Sequence, residues 1–259
     1  INIWIWLKTI SREADKKIDQ VNDILHLDHL KRAVLLGLVF GTMIMTSTWD
    51  FMIYGVFMAV LSLALLFQKL EIWLHLILSG LVTILVALVT ALPWLLNFVS
   101  ISEGIRLAVE HSPFWQLLVL WAGHVIFSLI TLYFANRLIK NKKFKNQSTY
   151  LIVISLILTA LVLIALPELI YFKDIYPNHP RANTMFKLTF QAFVMMGLAI
   201  SWLAGVLHLK RFKQNLRVIL RFVLGLFILA VGLYPYFGYR DYYGHLKNYQ
   251  GLNGLLWMK

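Results

Sequence analysis

The sequence predicts an all-α fold, a polytopic bundle of transmembrane helices with about seven spans. Hydrophobic residues make up 60% of the chain and charged residues only 14%, which excludes a soluble globular domain. The apolar residues lie in runs close to the ~20 that a helix needs to cross a bilayer. The net charge of +12 is concentrated in short loops beside these runs, as the positive-inside rule describes, so we expect no nucleic-acid partner.

A single transmembrane domain is expected over residues 1–259, as part of a longer chain. Residues 1–32 predict a cytoplasmic connector, amphipathic from residue 11, that precedes a helix bundle over 33–259. Pro93 should kink or end the third span, Pro167 should end the fifth, and an interfacial helix is expected around Arg106. The expected spans cover about 33–46, 51–67, 72 to Pro93, 114–136, 150–166, 185–207 and 218–233.

Two kinds of loop alternate between these spans. Residues 137–145 and 210–217 are rich in Lys and Arg, whereas residues 167–174, 181–187 and 234–243 carry mixed charge, Pro and Tyr. The alternation places all loops of the second kind on the side opposite the basic loops. The sequence therefore predicts an integral membrane protein whose functional loops face away from the cytoplasm.

Three carboxylates on this outer side are candidate catalytic groups: Asp50, Glu168 and Asp174. Asp50 is also a candidate N-cap of the second span, and the two roles are compatible. Glu168 can act as a base, ligate a divalent cation together with Asp174, or simply pair with Lys173 or Arg181. The spacing of these acids matches no known metal motif, so a divalent cation is an open possibility and no metal ligand is assigned.

A polar stripe enters the sixth span and predicts a substrate-binding surface. Asn183, Lys187 and Gln191 are spaced four residues apart, so they share one face of a helix. Arg181 precedes them, and together with the free amides of the helix N-terminus it would form a phosphate site. In the alternative, the Lys187 amine extends to the phosphates of ordinary lipid headgroups.

Two further candidates for substrate binding, Tyr171 and Arg240, lie in aromatic-rich segments near the outer ends of the spans. Residues 234–243 contain six aromatic residues around Arg240 and Asp241. Such platforms suit sugars and lipid headgroups, and they equally suit a plain interfacial belt.

One histidine, His124, lies in the middle of the fourth span. A proton relay is one interpretation, and a neutral side chain hydrogen-bonded to a neighbouring helix is the favoured one. The chain has no cysteine and no pair of histidines at metal-ligand spacing, so the sequence predicts no zinc site.

The outer loops resemble a family of uncharacterised prokaryotic membrane proteins known as the YYY membrane proteins. The resemblance rests on residues 46–50 (Thr-Ser-Thr-Trp-Asp), 167–174 (Pro-Glu-Leu-Ile-Tyr-Phe-Lys-Asp), 181–187 (Arg-Ala-Asn-Thr-Met-Phe-Lys) with Gln191, and more weakly on 252–254 (Leu-Asn-Gly). The chain departs from the family pattern at Ser47 and Ala182, where the family usually has Asn and Met, and at Asn253, where it has Asp. The last departure puts any role for that carboxylate in doubt.

That family looks like a distant branch of the GT-C glycosyltransferases, enzymes that usually take sugar from a polyprenyl-phosphate carrier on the outer face of a prokaryotic plasma membrane. The resemblance implies a donor phosphate held by Arg181 and Lys187, and acids that shape the sugar and acceptor site. It also implies that the principal catalytic acid lies in an earlier loop, before this region. The acceptor, whether glycan, lipid or protein, is left open.

The function predicted first is thus a lipid-linked-sugar-dependent glycosyltransferase, present here as its central and C-terminal membrane part. The first alternative is a transporter or flippase for a lipid or anionic solute. The second is a non-catalytic membrane subunit that binds lipid phosphate.

Overall fold

A computed structural model describes residues 27–68, 70–99, 103–139, 147–173, 179–208 and 213–242. Within these ranges seven helices are long and apolar enough to cross a membrane, which confirms the predicted all-α transmembrane bundle. The helices are α1 Leu27–Thr46, α2 Thr48–Gln68, α3 Trp73–Leu95, α4 Phe114–Ile139, α5 Gln147–Leu169, α6 Ala182–Val206 and α7 Gln214–Tyr242. A short 3₁₀ turn, Leu70–Ile72, precedes α3.

The first helix begins earlier than the sequence predicted. It starts at Leu27, so residues 27–32, which were assigned to the connector, belong to the first helix instead. These residues include no Gly or Pro, so nothing interrupts the backbone hydrogen bonds, and the charged Lys31 is exposed. The part of the connector before Leu27 lies outside the described residues.

Prolines end the helices less sharply than expected. Pro93 lies in the last turn of α3, which ends at Leu95, as predicted. Pro167 lies in the last turn of α5 in the same way, and that helix ends two residues later at Leu169. Pro235 likewise lies inside α7, so residues 234–242 are helical and not the predicted loop. Pro93 and Pro167 lie in final turns, where a proline removes only one backbone hydrogen bond, whereas α7 continues for seven residues beyond Pro235.

A two-stranded antiparallel ribbon replaces the expected interfacial helix around Arg106, so that prediction is wrong. Strand β1 (Ile105–Leu107) pairs with β2 (Ile170–Phe172), and Arg106 lies opposite Tyr171. The amide of Glu103 donates to the carbonyl of Lys173 over 2.9 Å, which extends the ladder. Gly104 has φ +96°, a left-handed conformation that few other residues adopt. The hydrogen-bond partners of this segment are distant in the chain, and they determine its conformation more than the local sequence does.

The ribbon brings three helix connections to one end of the bundle. It joins the α3–α4 connection to the α5–α6 connection, and the Trp49 ring, in the first turn of α2, lies 5.0 Å from the Phe172 ring of β2. We call this end, with residues 47–50, 103–113, 168–173 and 179–191, the ribbon end.

Helices α1 and α3 pack in very close contact. A Cβ atom added to Gly37 would lie 2.6 Å from Val86 Cβ and 2.8 Å from the carbonyl oxygen of Thr83. The Thr83 hydroxyl donates across the same interface to the carbonyl of Ala33 over 3.2 Å. Small residues at four-residue spacing allow transmembrane helices to approach this closely, and Gly41 repeats the contact one turn later against Thr90.

The described residues form two compact units, one up to Trp202 and one from Leu203 onwards. In the first, the side chains of Val153, Ile157 and Ala199 form a buried cluster between α5 and α6. In the second, the Arg221 guanidinium of α7 donates to the carbonyl of Leu207. The predicted single domain over residues 1–259 stays a prediction.

The close α1–α3 contact gives the first testable prediction. Gly37→Ala should lower the free energy of unfolding by about 1–3 kcal/mol, because the new methyl group meets a backbone carbonyl that cannot move aside easily. Gly80→Ala on α3 is the matched control, since a Cβ there meets nothing within 4 Å. Thermal unfolding of the detergent-solubilised protein measures both, and equal midpoints for the two variants would contradict the packing.

Candidate functional site

Glu168, at the C-terminus of α5, is the most heavily hydrogen-bonded carboxylate at the ribbon end. Its Oε1 lies 2.7 Å from a terminal nitrogen of Arg181. The hydroxyl of Ser112 donates to the same oxygen over 2.7 Å, and the backbone amide of Ser112 donates to Oε2 over 2.8 Å. The Arg181 and Glu168 side chains are only 11% and 17% exposed, so this is a largely buried ion pair.

The Glu168 cluster (Ser112, Glu168 and Arg181) therefore ties together the start of α4, the end of α5 and the residue before α6. Arg181 also donates to the carbonyl of Glu110 and lies 3.5 Å from the sulfur of Met185. Of the roles considered for Glu168, pairing with Arg181 is the one that the structure contains. Arg181 consequently has a structural role, while its binding of phosphate stays a prediction.

A second ion pair lies on the exposed side of the ribbon. Lys173, the alternative partner considered for Glu168, pairs with Glu103 instead. The hydrogen bond and positive charge of Lys173 hold the pKa of Glu103 below its ordinary value. Both side chains are exposed by 43% or more, so water screens this pair.

Asp50 lies in the first turn of α2 and is not its N-cap, which corrects that prediction. The cap is Ser47, whose Oγ accepts from the Asp50 amide at 3.4 Å, while its carbonyl accepts from the same amide at 3.0 Å. A carboxylate in the first turn interacts favourably with the positive end of the helix dipole. Ser47 is the residue where the resembling family usually has Asn, which is also a good capping residue.

Asp50 meets Gln191, which was predicted to bind substrate on α6. The Gln191 amide nitrogen lies 3.4 Å from Asp50 Oδ1, and the Tyr54 hydroxyl lies 3.5 Å from the Gln191 amide oxygen. Tyr54 in turn packs against the buried cluster of Phe40 and Ile44. We call Asp50, Tyr54 and Gln191 the Asp50 cluster.

Sequence reasoning missed Tyr54 and Ser112 as members of the site. Tyr54 follows Asp50 by four residues, the same spacing that identified the stripe on α6, so its signal was present in the sequence. Ser112 had no comparable signal, because its partner Glu168 is 56 residues away in a different connection.

Lys187 lies one helical turn before Gln191 on the same face of α6, as predicted. Its side chain is half-buried, and its amine lies 5.6 Å from the centre of the Phe186 ring. In the part of the chain that the structure describes, no carboxylate lies within 4.0 Å of this amine. Asn183 is half-buried one turn earlier, in the first turn of α6.

The remaining candidates are distributed more widely. Tyr171 lies in β2 and is half-buried. Arg240 belongs to the second unit, where it pairs with Asp241 over 2.9 Å and lies 5.0 Å from the centre of the Phe237 ring. The ring of His124 packs edge-on against Phe193 of α6, with centroids 5.2 Å apart. Asp174 lies outside the described residues.

The possible divalent cation stays a prediction. Across the described ranges, no group of three or more His, Cys, Asp or Glu side chains is placed to hold a metal ion. Glu168 is already fully engaged by Ser112 and Arg181.

The two ion pairs of the ribbon end should differ sharply in what they contribute to stability. Glu168→Gln leaves the Arg181 charge largely buried without a counter-ion and should lower the free energy of unfolding by about 3 kcal/mol. Glu103→Gln, the matched control in the exposed pair, should leave the unfolding midpoint essentially unchanged. Chemical denaturation in detergent micelles compares them, and a Glu168→Gln protein as stable as the control would refute the structural role of the buried pair.

Comparison with known proteins places the chain in a family without assigning it an activity. No curated protein and no solved structure matches it. A family model matches residues 3–157 and 138–196, two segments that overlap and together cover most of the chain. The chain belongs to the family described as Uncharacterized membrane protein (DUF2298).

Proposed function

We propose that this membrane protein is a glycosyltransferase of the GT-C type that takes sugar from a polyprenyl-phosphate carrier. The reaction would take place at the ribbon end, which we assign to the extracytoplasmic face because the basic loops lie at the opposite ends of the spans. The acceptor hydroxyl belongs to a glycan, a lipid or a protein.

The half-buried residue Lys187 is the observation that carries this proposal. A lysine inside an apolar helix is expensive to bury and is found where a partner or function requires it. Within the described residues Lys187 has no carboxylate in ion-pair range, so its charge is free to meet an anionic ligand. A phosphate that arrives on a lipid chain would reach this depth without leaving the bilayer.

The chemistry that such a cation supports is the loss of a phosphate leaving group. Transfer breaks the bond between the anomeric carbon and the phosphate oxygen, and negative charge develops on that oxygen. A fixed cation nearby stabilises this charge more in the transition state than in the bound substrate, which accelerates the reaction. The charge of Arg181 is balanced by Glu168, so Lys187 is the cation to which this role is given.

The reaction also requires a carboxylate that accepts the proton of the acceptor hydroxyl. The acceptor hydroxyl attacks the anomeric carbon and gives up its proton to a carboxylate, which acts as general base. Asp50, Glu168 and Asp174 are the sequence candidates for this role. Tyr171, on the ribbon, offers an aromatic surface of the kind that packs against sugar rings.

Replacing Lys187 by methionine should abolish donor use while the fold persists. The change removes the charge but keeps the length of the side chain, so we expect the transfer rate to fall by about 100-fold or more. Lys31→Met, an exposed lysine at the start of α1, is the matched control and should keep the wild-type rate. Reconstituted vesicles with a panel of radiolabelled polyprenyl-phosphate hexoses measure transfer to a mixed glycan and lipid acceptor extract.

Three outcomes of that assay separate the candidate functions. Transfer by the wild type that is lost in Lys187→Met supports the proposal. Binding of the carriers without transfer favours a non-catalytic lipid-phosphate-binding subunit. Movement of intact carrier across the vesicle membrane favours a flippase and would contradict the glycosyltransferase.

A further inference from the structure

We infer that Asp50 is the proton acceptor of this site, that Gln191 and Tyr54 are its positioning residues, and that Glu168 serves the fold. This assignment departs from the family resemblance, which implies a principal catalytic acid in an earlier loop. This inference rests on the proposed function and divides its three candidate carboxylates by their surroundings. Of the two that the structure describes, only one is free to act as a base.

Glu168 is unsuited to accept a proton. Three donors engage its two oxygens at 2.7–2.8 Å, the two from Ser112 and the guanidinium of Arg181. Each of these bonds stabilises the ionised carboxylate, and protonation would break at least one of them beside a buried positive charge. An acceptor hydroxyl would also have to displace Ser112 to reach either oxygen.

The carboxylate of Asp50 receives fewer and longer hydrogen bonds than that of Glu168. Among the described residues its carboxylate receives one side-chain hydrogen bond, from Gln191 to Oδ1 at 3.4 Å, and Oδ2 receives none. The side chain is half-buried at the start of α2, so it is neither fully hydrated nor enclosed. A carboxylate with one free oxygen at the mouth of an apolar bundle can approach a substrate hydroxyl directly.

Gln191 and Tyr54 fix the direction in which Asp50 points. The Tyr54 hydroxyl donates to the Gln191 amide oxygen over 3.5 Å, and the amide nitrogen donates to Asp50 Oδ1 over 3.4 Å. The reverse amide orientation would set the amide oxygen against the carboxylate oxygen, two acceptors with no donor between them. Gln191, itself held by Tyr54, therefore anchors Oδ1 and leaves Oδ2 without a hydrogen bond from the described residues.

The reaction balances without a cofactor. The acceptor oxygen forms a bond to the anomeric carbon as the bond from that carbon to the phosphate oxygen breaks. The hydroxyl proton moves to Oδ2 of Asp50, and the electron pair of the broken bond stays on the polyprenyl phosphate. Asp50 then returns its proton to water. The products are the glycosylated acceptor and the lipid monophosphate.

Several charged or titratable groups lie on the elements packed around this end of α2. In the described ranges they are Tyr54 on α2, Glu168 on α5, His179, Arg181 and Lys187 before or at the start of α6, and Glu103, Arg106, Glu110, His111, Tyr171 and Lys173 in or beside the ribbon. Among the described neighbours of Asp50, Gln191 is the residue whose side chain donates a hydrogen bond to the carboxylate. A substitution at Gln191 is therefore the most direct way to perturb Asp50.

Two substitutions distinguish a base from a merely structural acid. Asp50→Asn should lower kcat by about 100-fold or more with KM within twofold, since the amide cannot accept the proton. Glu168→Gln should instead lower the yield of folded protein, as expected of an acid that serves the fold. Glu71→Gln, an exposed acid at the opposite end of the bundle, is the control for both.

The positioning role has its own readout in the pH dependence. Gln191→Glu places a second carboxylate beside Asp50, which disfavours its ionisation, so the acidic limb of the pH–rate profile should move to higher pH by about one unit. Gln116→Glu, on the exposed start of α4, should leave that limb in place. Tyr54→Phe frees the Gln191 amide to turn and should lower kcat severalfold, with KM unchanged.

A chemical label gives a readout that does not require turnover. Dicyclohexylcarbodiimide adds to accessible carboxyl groups in membrane proteins, and mass spectrometry locates the resulting N-acylurea. We expect modification of Asp50, with loss of transfer, and no modification of Glu168.

The outcomes separate the two proposals. A complete wild-type protein, with the chain on both sides of this region, that transfers no sugar from any carrier overturns the proposed function, and this inference with it. An active wild type whose Asp50→Asn variant keeps its rate, or whose Glu168 is labelled in place of Asp50, overturns the inference and leaves the proposed function standing.

Discussion

The ribbon end depends on neutralising one buried cation, the guanidinium of Arg181. In a low-dielectric environment an arginine without a counter-ion is very unfavourable, so its position fixes the position of Glu168, 2.7 Å away. Glu168 in turn holds Ser112, and three connections far apart in the chain become one surface. The start of α6 is therefore set in place before any ligand arrives, and Lys187 and Gln191 follow from it by helical geometry.

This arrangement separates the charges that hold the fold from those that are free to react. The Glu168 cluster is saturated with short hydrogen bonds, whereas Asp50 has one long bond and Lys187 has no carboxylate in ion-pair range among the described residues. Saturated groups contribute rigidity, and under-coordinated groups at a bundle mouth are available to a substrate. Asp50 and Lys187, the base and the cation of the proposed reaction, lie on α2 and α6, which meet through the hydrogen bonds of Gln191.

The spans and the polar stripe on α6 could be read from the sequence, because both depend on local spacing. Each span needs only an apolar run, and the shared face of Lys187 and Gln191 needs only a helix. The ribbon could not be foreseen, since three-residue strands form only where a distant partner supplies the hydrogen bonds. The same holds for Tyr54 and Gln191, which meet across 137 residues of chain. The close approach at Gly37 likewise depends on Thr83 and Val86 of another helix.

The proposed binding of a polyprenyl phosphate at the ribbon end is tested most directly by photo-crosslinking. The protein in vesicles is crosslinked with a polyprenyl phosphate that carries a diazirine next to the phosphate. Peptide mapping should place the crosslinks in the first turns of α6 and α2, around Lys187 and Asp50, with competition by unlabelled polyprenyl phosphate but not by a neutral polyprenol. Crosslinks spread evenly over the lipid-facing helices, or unaffected by that competitor, would contradict the account.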